Sequence, residues 1–436
     1  MAHSLEQHKR LLNMELSSFM NVTISIEGEK EKVYSLRNII EKRCPSLFLA
    51  VNVIKKKKEK KGDQGIMTIE YKQPITLVIL NQVLEWCYTD ILDFSSLEMY
   101  PLLELLKISK LLDADRLCYL CEKEIRQRLS VDSVFIILKN SKELDMKEIL
   151  ELATSFAHQH WPQVCGHKQG MEIIGIELFQ ELTIGMQHYK PETKKDCSPE
   201  ALPTVKSTII NDYKEILTEC RFSDAELLFP ASGETVKFHR AIVAAHSKPL
   251  FQLISQNNKS KQYVIEGLDS VAGTDLLQYI YYGDTTIDPI GACRLIECAI
   301  MQYSLQHMLD DCTRAVSEGI TDKSSIDILR ITYLPDFQTD TMKDLRKKVL
   351  SHICKNFKEI PIPTVRDTKP ANIAYQMTAD ILDTIYKDYS PSSQVNSSIQ
   401  RTTSGDEKRR DKGRERKKKT KTPRGTSSDK KSTKGK

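Results

Sequence analysis

The 436-residue sequence predicts an α+β fold built from one unit used twice, each copy followed by an all-helical stretch, with a basic tail at the end. Three observations predict it. The stretch FHRAIVAAHSKPLF at Phe238 to Phe251 has a counterpart, SLRNIIEKRCPSLF, at Ser35 to Phe48. Aligned without gaps, Arg37 falls on Arg240, Ile39 on Ile242, Leu47 on Leu250 and Phe48 on Phe251. The flanking text follows the same order of elements in both places, and self-similarity at one long period implies a duplicated unit. Beyond about Asp388, apolar residues all but vanish, so that segment cannot bury enough surface to offset its ordering entropy and is expected to be disordered.

Each element follows from local pattern. SLEQHKRLLNMEL and TIINDYKEILTEC carry apolar residues at helical spacing ahead of each unit. Val22–Ile26 alternates as a strand does, Glu27-Gly28 supplies a turn, and Val33-Tyr34 begins the return strand. In the second unit these are Glu226 to Phe229, Ser232-Gly233 and Val236 to Phe238. A short helix follows each hairpin, then an apolar strand (IMTIEY at Ile66, QYVIEGL at Gln262). Next come a helix holding VLEWCYTD or LLQYIYYG and a helical pair that aligns Cys121 with Cys312. Apolar residues three and four apart then predict further helices, as does MEIIGIELFQELT before the polar linker HYKPETKKDCSPEALPT.

Charge is unevenly placed. The formal net charge is +5, but Arg401 to Lys436 holds sixteen Lys or Arg against five Asp or Glu, leaving residues 1 to 400 mildly acidic. No window approaches the length of a membrane-spanning segment and MAHSLEQHKR has no apolar run behind it, so the chain is expected to stay in the cytoplasm or nucleus. Eleven scattered cysteines are expected to be reduced thiols.

The phrases Phe222-Ser223-Asp224, Phe238-His239-Arg240, Ser247 to Phe251 and Tyr279-x-Tyr281 resemble the BTB/POZ domain, and the helices after each unit resemble the BACK-type extension. The resemblance divides the chain into a divergent first BTB/POZ domain (5–130), BACK-like helices and linker (131–200), a second BTB/POZ domain (205–320), BACK-like helices (321–387) and the tail (388–436). It implies helical clusters capped by short mixed sheets, and an interaction scaffold acting through BTB pairing, within or between chains. In its most specific form it implies a substrate adaptor of a cullin-3 ubiquitin ligase. The partner-binding residues it implies are Asp224, His239, Arg240, His246, Phe251, Leu253 and Ile254, with Arg43 and Phe48 in the first copy. There are two departures. The apolar-x-Glu motif of cullin-binding members is missing from LISQNNKSKQ and from AVNVIKKKKEKKGDQG. The Asp–basic pocket of BTB repressors is split, with His246 facing Asp224's role in one copy and Asn21 facing Arg43's in the other. If the copies pair within one chain, Asp224 and Arg43 are expected to meet across a pseudo-two-fold seam.

Other motifs carry weaker chemistry. Cys118-Tyr-Leu-Cys121 lies inside a helical pattern and reads as structural thiols. His158, His160, Cys165 and His167 would hold zinc only if an irregular turn at Pro162 gathered them; otherwise they mark a helix end. KKKKEKK at Lys55 reads as a solvated loop, and Trp86, Tyr279 and Tyr281 as core. No phosphate-cradling glycine loop, nucleophile elbow or carboxylate pair is present, so neither an enzyme nor a cofactor nor a bound metal is expected. The alternative to the adaptor is a nuclear, polyanion-associated factor. Its tail (Lys408, Arg409, Arg410, Arg414, Arg416, Lys417, Lys418, Lys419, Lys421) would bind nucleic acid non-specifically, tuned by phosphorylation at Ser390-Pro391 or Thr422-Pro423.

Overall fold

A computed structural model describes residues 7–49, 53–58, 67–71, 75–190, 195–230, 232–257, 260–265, 268–283, 287–296, 303–333, 340–360 and 371–389. The expectations for the tail, including its basic run and phosphorylation sites, lie outside the described residues. The chain is mostly helical with two small mixed sheets. Residues 1–381 form one compact unit, and a second begins at Leu382, where Lys387 pairs with Asp383.

In the N-terminal half the sheet runs in the order β2-β1-β4-β3, from strands β1 (Val22–Ile26), β2 (Lys32–Ser35), β3 (Val53–Lys58) and β4 (Met67–Tyr71). β1 pairs antiparallel with β2 around a turn in which Gly28 takes φ +88°, a left-handed conformation that glycine adopts freely. It pairs parallel with β4, Ile24 opposite Ile69, which requires a crossover. That crossover carries α1 (Arg37–Arg43) and α2 (Ser46–Leu49). In β4 the buried residues are Met67, Ile69 and Tyr71, the period-2 alternation that buries one sheet face.

The lysine run departs from expectation. Lys55 to Lys58 lie in edge strand β3, antiparallel to β4 with Lys55 opposite Glu70, instead of in a loop. An edge strand is where lysines are tolerated, since they block further strand addition. The N-terminal segment also differs: it forms two 3-10 turns, His8–Leu12 and Met14–Phe19, instead of one helix. Asn13 separates them in an extended conformation and caps the second by accepting from the Glu15 N–H at 3.1 Å.

The N-terminal half continues through α3 (Leu77–Thr89), α4 (Met99–Leu111), α5 (Asp115–Arg128), α6 (Val134–Glu143), α7 (Lys147–Gln159), α8 (Trp161–Cys165) and α9 (Gly170–Gln187). The linker stays on this half. Arg126 donates to the Asp196 carbonyl at 2.9 Å, and Gln159 to the Lys195 carbonyl at 2.8 Å.

The C-terminal half opens with α10 (Ile209–Glu219) and a sheet in the order β6-β5-β7, from β5 (Ala225–Phe229), β6 (Glu234–Phe238) and β7 (Gln262–Val264). β5 is antiparallel to β6 and parallel to β7, the relation that β1 has to β2 and β4. The connection again holds two short helices, α11 (Arg240–His246) and α12 (Lys248–Gln256). Then follow α13 (Ser270–Tyr282), α14 (Pro289–Leu295), α15 (Gln306–Glu318), α16 (Ser325–Ile331), α17 (Asp340–Lys355) and α18 (Ala371–Tyr389).

The core is aromatic where the sheets meet helices, with Tyr71, Tyr88, Tyr213, Tyr279, Tyr281 and Phe229 fully buried. Gly273 of α13 touches the Phe229 ring so closely that an added Cβ would sit 2.3 Å from it. Gly273→Ala is therefore expected to destabilise the protein by about 1–3 kcal/mol, read as a lower urea midpoint, with Phe229→Leu in the same chain recovering part of the loss.

Candidate interaction surface at the seam between the halves

The two halves pack through their first helices and turns. The helix following each hairpin starts without a capping side chain of its own, at Leu36 or His239. A residue just before the first strand supplies the missing acceptor. Asn21 Oδ1 accepts from the Arg37 N–H at 2.7 Å, and Asp224 Oδ1 from the Arg240 N–H at 2.8 Å. With its backbone so held, each arginine reaches across the seam to an aromatic ring on the other half. Arg37 sits 4.5 Å from the Phe222 centroid and Arg240 5.5 Å from that of Phe19. The contacts are reciprocal, as in an isologous interface. Phe19 also meets Phe251 edge-on at 6.2 Å.

Deeper in, the first turn and α10 exchange places. His8 stacks on Tyr213 at 4.4 Å and bonds through Nε2 to the Ile280 carbonyl of α13 at 3.1 Å. In return the Tyr213 hydroxyl donates to the Tyr88 carbonyl of α3 at 3.0 Å. The His246 ring lies edge-on to His8 at 5.2 Å. Burial disfavours the charged imidazole and, against the opposing carbonyls of Ile280 and Tyr88, lowers the His8 pKa to about 4.

Arg43, at the end of α1, is buried, its side chain 2% exposed. It pairs with Asp90 within its half and with Asp212 across the seam at 2.7 Å, donates to Thr208 at 3.1 Å, and lies over Trp86 at 4.8 Å. Burial works against its charge, but Asp212 and Asp90 outweigh that and hold its pKa above the ordinary value. Asp90 caps α3 in the left-handed region at φ 58°, the position that Gly283 fills after α13 at φ 69°. An aspartate there costs backbone strain, which its carboxylate offsets by holding Arg43 and, at 3.3 Å, Arg116.

The expected Asp224–Arg43 pair does not form. Asp224 binds Arg240 of its own half at 2.7 Å, because it serves as that helix's cap, and Arg43 is committed to Asp90 and Asp212. Several proposed partner residues are buried. His239 bonds Tyr281 and the Arg221 carbonyl, both at 2.8 Å; burial lowers its pKa, opposed by that carbonyl and by Asp224. Arg43, His246, Phe48 and Ile254 are buried too, so they belong to the core and the seam and offer no surface to a separate protein. Phe251 and Leu253 remain half-buried. Phe251 lines a groove of about 510 Å³ between the first turns and α11–α12, with Arg10, Glu15, Leu16, Ala245 and Lys248.

Sequence reasoning missed His8, Phe19, Asp90, Asp212 and Tyr213, and read Phe222 only as part of the phrase Phe222-Ser223-Asp224 and not as a seam contact. Phe19 and Phe222 were within reach, since they stand at the spacing that separates Arg37 from Arg240. Asp212 carries no such signal.

The remaining motifs disperse. Cys118 and Cys121 lie within α5 as free thiols. His158 bonds the Leu182 carbonyl at 3.0 Å while His167 faces Phe135 and Asp132. Among the described residues no three His, Cys, Asp or Glu side chains group to hold a metal, and no helix is long and apolar enough to cross a membrane.

The family profile of the BTB/POZ domain matches residues 213–319, the stretch that contributes Tyr213, Phe222, Arg240, His246 and Ile280 to the seam. This segment is a BTB/POZ domain. A BTB domain in this segment supports a role in protein–protein interaction. Leucine-zipper-like transcriptional regulator 1 of Homo sapiens and its counterpart in Pongo abelii are each 21% identical to the chain over 318 residues. The alignments take in 70% of this chain and 36% of the relatives, so the chain spans about a third of their length.

Proposed function

We propose that the chain is a tandem BTB scaffold in which residues 5–130 form a divergent first BTB domain paired with the second, followed in each case by BACK-like helices (131–200 and 321–387). The observation that carries this reading is the shared strand relation, with β1 to β2 and β4 as β5 is to β6 and β7, together with reciprocal Arg37–Phe222 and Arg240–Phe19 contacts. Its mechanism is contact without catalysis. The pairing faces cover each other, and the groove beside Phe251 and the helical extensions present the partner surface.

In its most specific form the scaffold is a substrate adaptor of a cullin-3 ubiquitin ligase. The test is capture of the cullin-3 N-terminal domain by residues 1–400, with light scattering in the same buffer. Capture supports the adaptor, and its failure at micromolar concentration sinks it.

A second reading rests on the tail and on the name of the relatives, leucine-zipper-like transcriptional regulator 1. A nuclear, polyanion-associated BTB factor would lose salt-sensitive nucleic-acid binding and nuclear retention on deletion of residues 401–436. The adaptor would keep its cullin association through the same deletion.

A further inference from the structure

We infer that the seam is matched in charge so that each half accepts the other and rejects a copy of itself. The inference rests on the tandem reading for the correspondence of positions. Three ion pairs cross the seam among the described residues: Arg43–Asp212 at 2.7 Å, Arg221–Glu41 at 2.9 Å, and Lys42–Glu215. All three join α1 of the first half to α10 and its exit in the second. The pseudo-symmetric side, α11 against the first turns, has a different chemistry. Where α1 carries Glu41, Lys42 and Arg43, α11 carries Ala244, Ala245 and His246. Where the second half carries Asp212, Glu215 and Arg221, the first has Lys9, Leu12 and Ser18 at the same spacing. One side of the seam is ion-paired; on the other, the positions matching Glu41, Lys42 and Arg43 hold two alanines and a histidine beside a groove that Arg10, Glu15 and Lys248 also line, although the aromatic contacts are shared by both.

That asymmetry sets the partner. Two first halves pairing by the same geometry would bring Arg43 against Lys9, and would leave Glu41 and Lys42 facing Ser18 and Leu12. Two second halves would set Asp212, whose side chain is 14% exposed, against His246, and Glu215 and Arg221 against alanines. Each self-pair forfeits three ion pairs. Two of them, Lys42–Glu215 and Arg221–Glu41, are partly exposed and worth little, so the main cost falls on covered Asp212 left without Arg43. Like-charge juxtaposition adds to the cost in the first case. Discrimination thus comes from what the wrong pairings leave unmatched. The surface that a BTB domain with like halves would offer to a second chain is occupied here by the chain itself.

The test uses the full chain with a protease site inserted between Pro203 and Thr204, both exposed, and cleaved after folding. Native mass spectrometry over a dilution series is expected to show the two fragments as a one-to-one complex. After partial dissociation in urea and its removal, only mixed pairs should return. Separation of the fragments on cleavage, or first–first or second–second pairs at comparable abundance, would overturn the inference. Lys42→Glu and Glu215→Lys, at partly exposed positions that leave the folds intact, should each weaken reassociation by about three- to tenfold, and the double exchange should restore it to within about twofold. A double exchange no better than the singles would also overturn it. The experiment reads fragment pairing alone, so failure of the cullin-3 reading would show in its own assay and not in this one.

Discussion

Replacing Arg43 with alanine is expected to destabilise the protein by about 3–5 kcal/mol, the cost of removing the cation that covered Asp212 and Asp90 share, with only Arg116 left on Asp90. Arg43 is the hub of the seam, holding Asp90 and Asp212 at once with its side chain 2% exposed. The measurement is thermal unfolding by calorimetry, where a loss of that size lowers the midpoint by about 4–6 °C. Arg43→Lys should recover little, because an ammonium cannot present two separated forks to two carboxylates. The triple replacement Arg43→Met, Asp90→Gly, Asp212→Ala should recover most of the loss. It leaves no buried charge, and glycine relieves the left-handed cap after α3. A stable Arg43→Ala protein, or a triple variant as weak as the single, would show that the network contributes little.

Acid is expected to loosen the same seam through His8. Its ordinary pKa of 6.5 falls to about 4 in the folded protein, so between those values the unfolded chain binds more protons than the folded one. Stability is therefore fully present above about pH 6.5 and is lost as the pH falls toward 4. The loss reaches about 3 kcal/mol if His8 acts alone. Around it stand Tyr213, His246, and the carbonyls of Ile280 and Tyr88, none of which supplies a carboxylate to stabilise the imidazolium. His239, also lowered by burial, adds in the same direction. Urea midpoints at pH 7.5 and 4.5 measure the effect. His8→Phe, which keeps the stacking on Tyr213 but cannot titrate, should flatten the profile by the His8 share. An unchanged slope in that variant would assign the acid sensitivity elsewhere.

Much of each element was legible because the signals are local. The hairpin at Glu226 to Phe238 showed as alternation around Ser232-Gly233, and the helix ending at Asp90 or Gly283 showed as apolar spacing closed by a turn residue. Cys118 and Cys121 read as helical thiols for the same reason. The lysine run was misread because a strand at a sheet edge need not be apolar, so its signature is lost when charge guards it. The first segment was misread because helical spacing does not distinguish an α-helix from two 3-10 turns separated by an extended Asn13.

By itself the sequence determined the order of elements, the doubled hairpin-and-helix pattern, the core places of Trp86, Tyr279 and Tyr281 and the BTB resemblance of its second half, since each depends on residues close together in the chain. Only the tertiary structure decided which charges meet. Arg43 faces Asp90 and Asp212 instead of Asp224, and His8 reaches Ile280, because partners so far apart in sequence are chosen by how two surfaces pack. A single carboxylate in a helix reads alike whether it faces solvent or closes a seam. Its role is set by the low-dielectric contact around it, which no local pattern encodes.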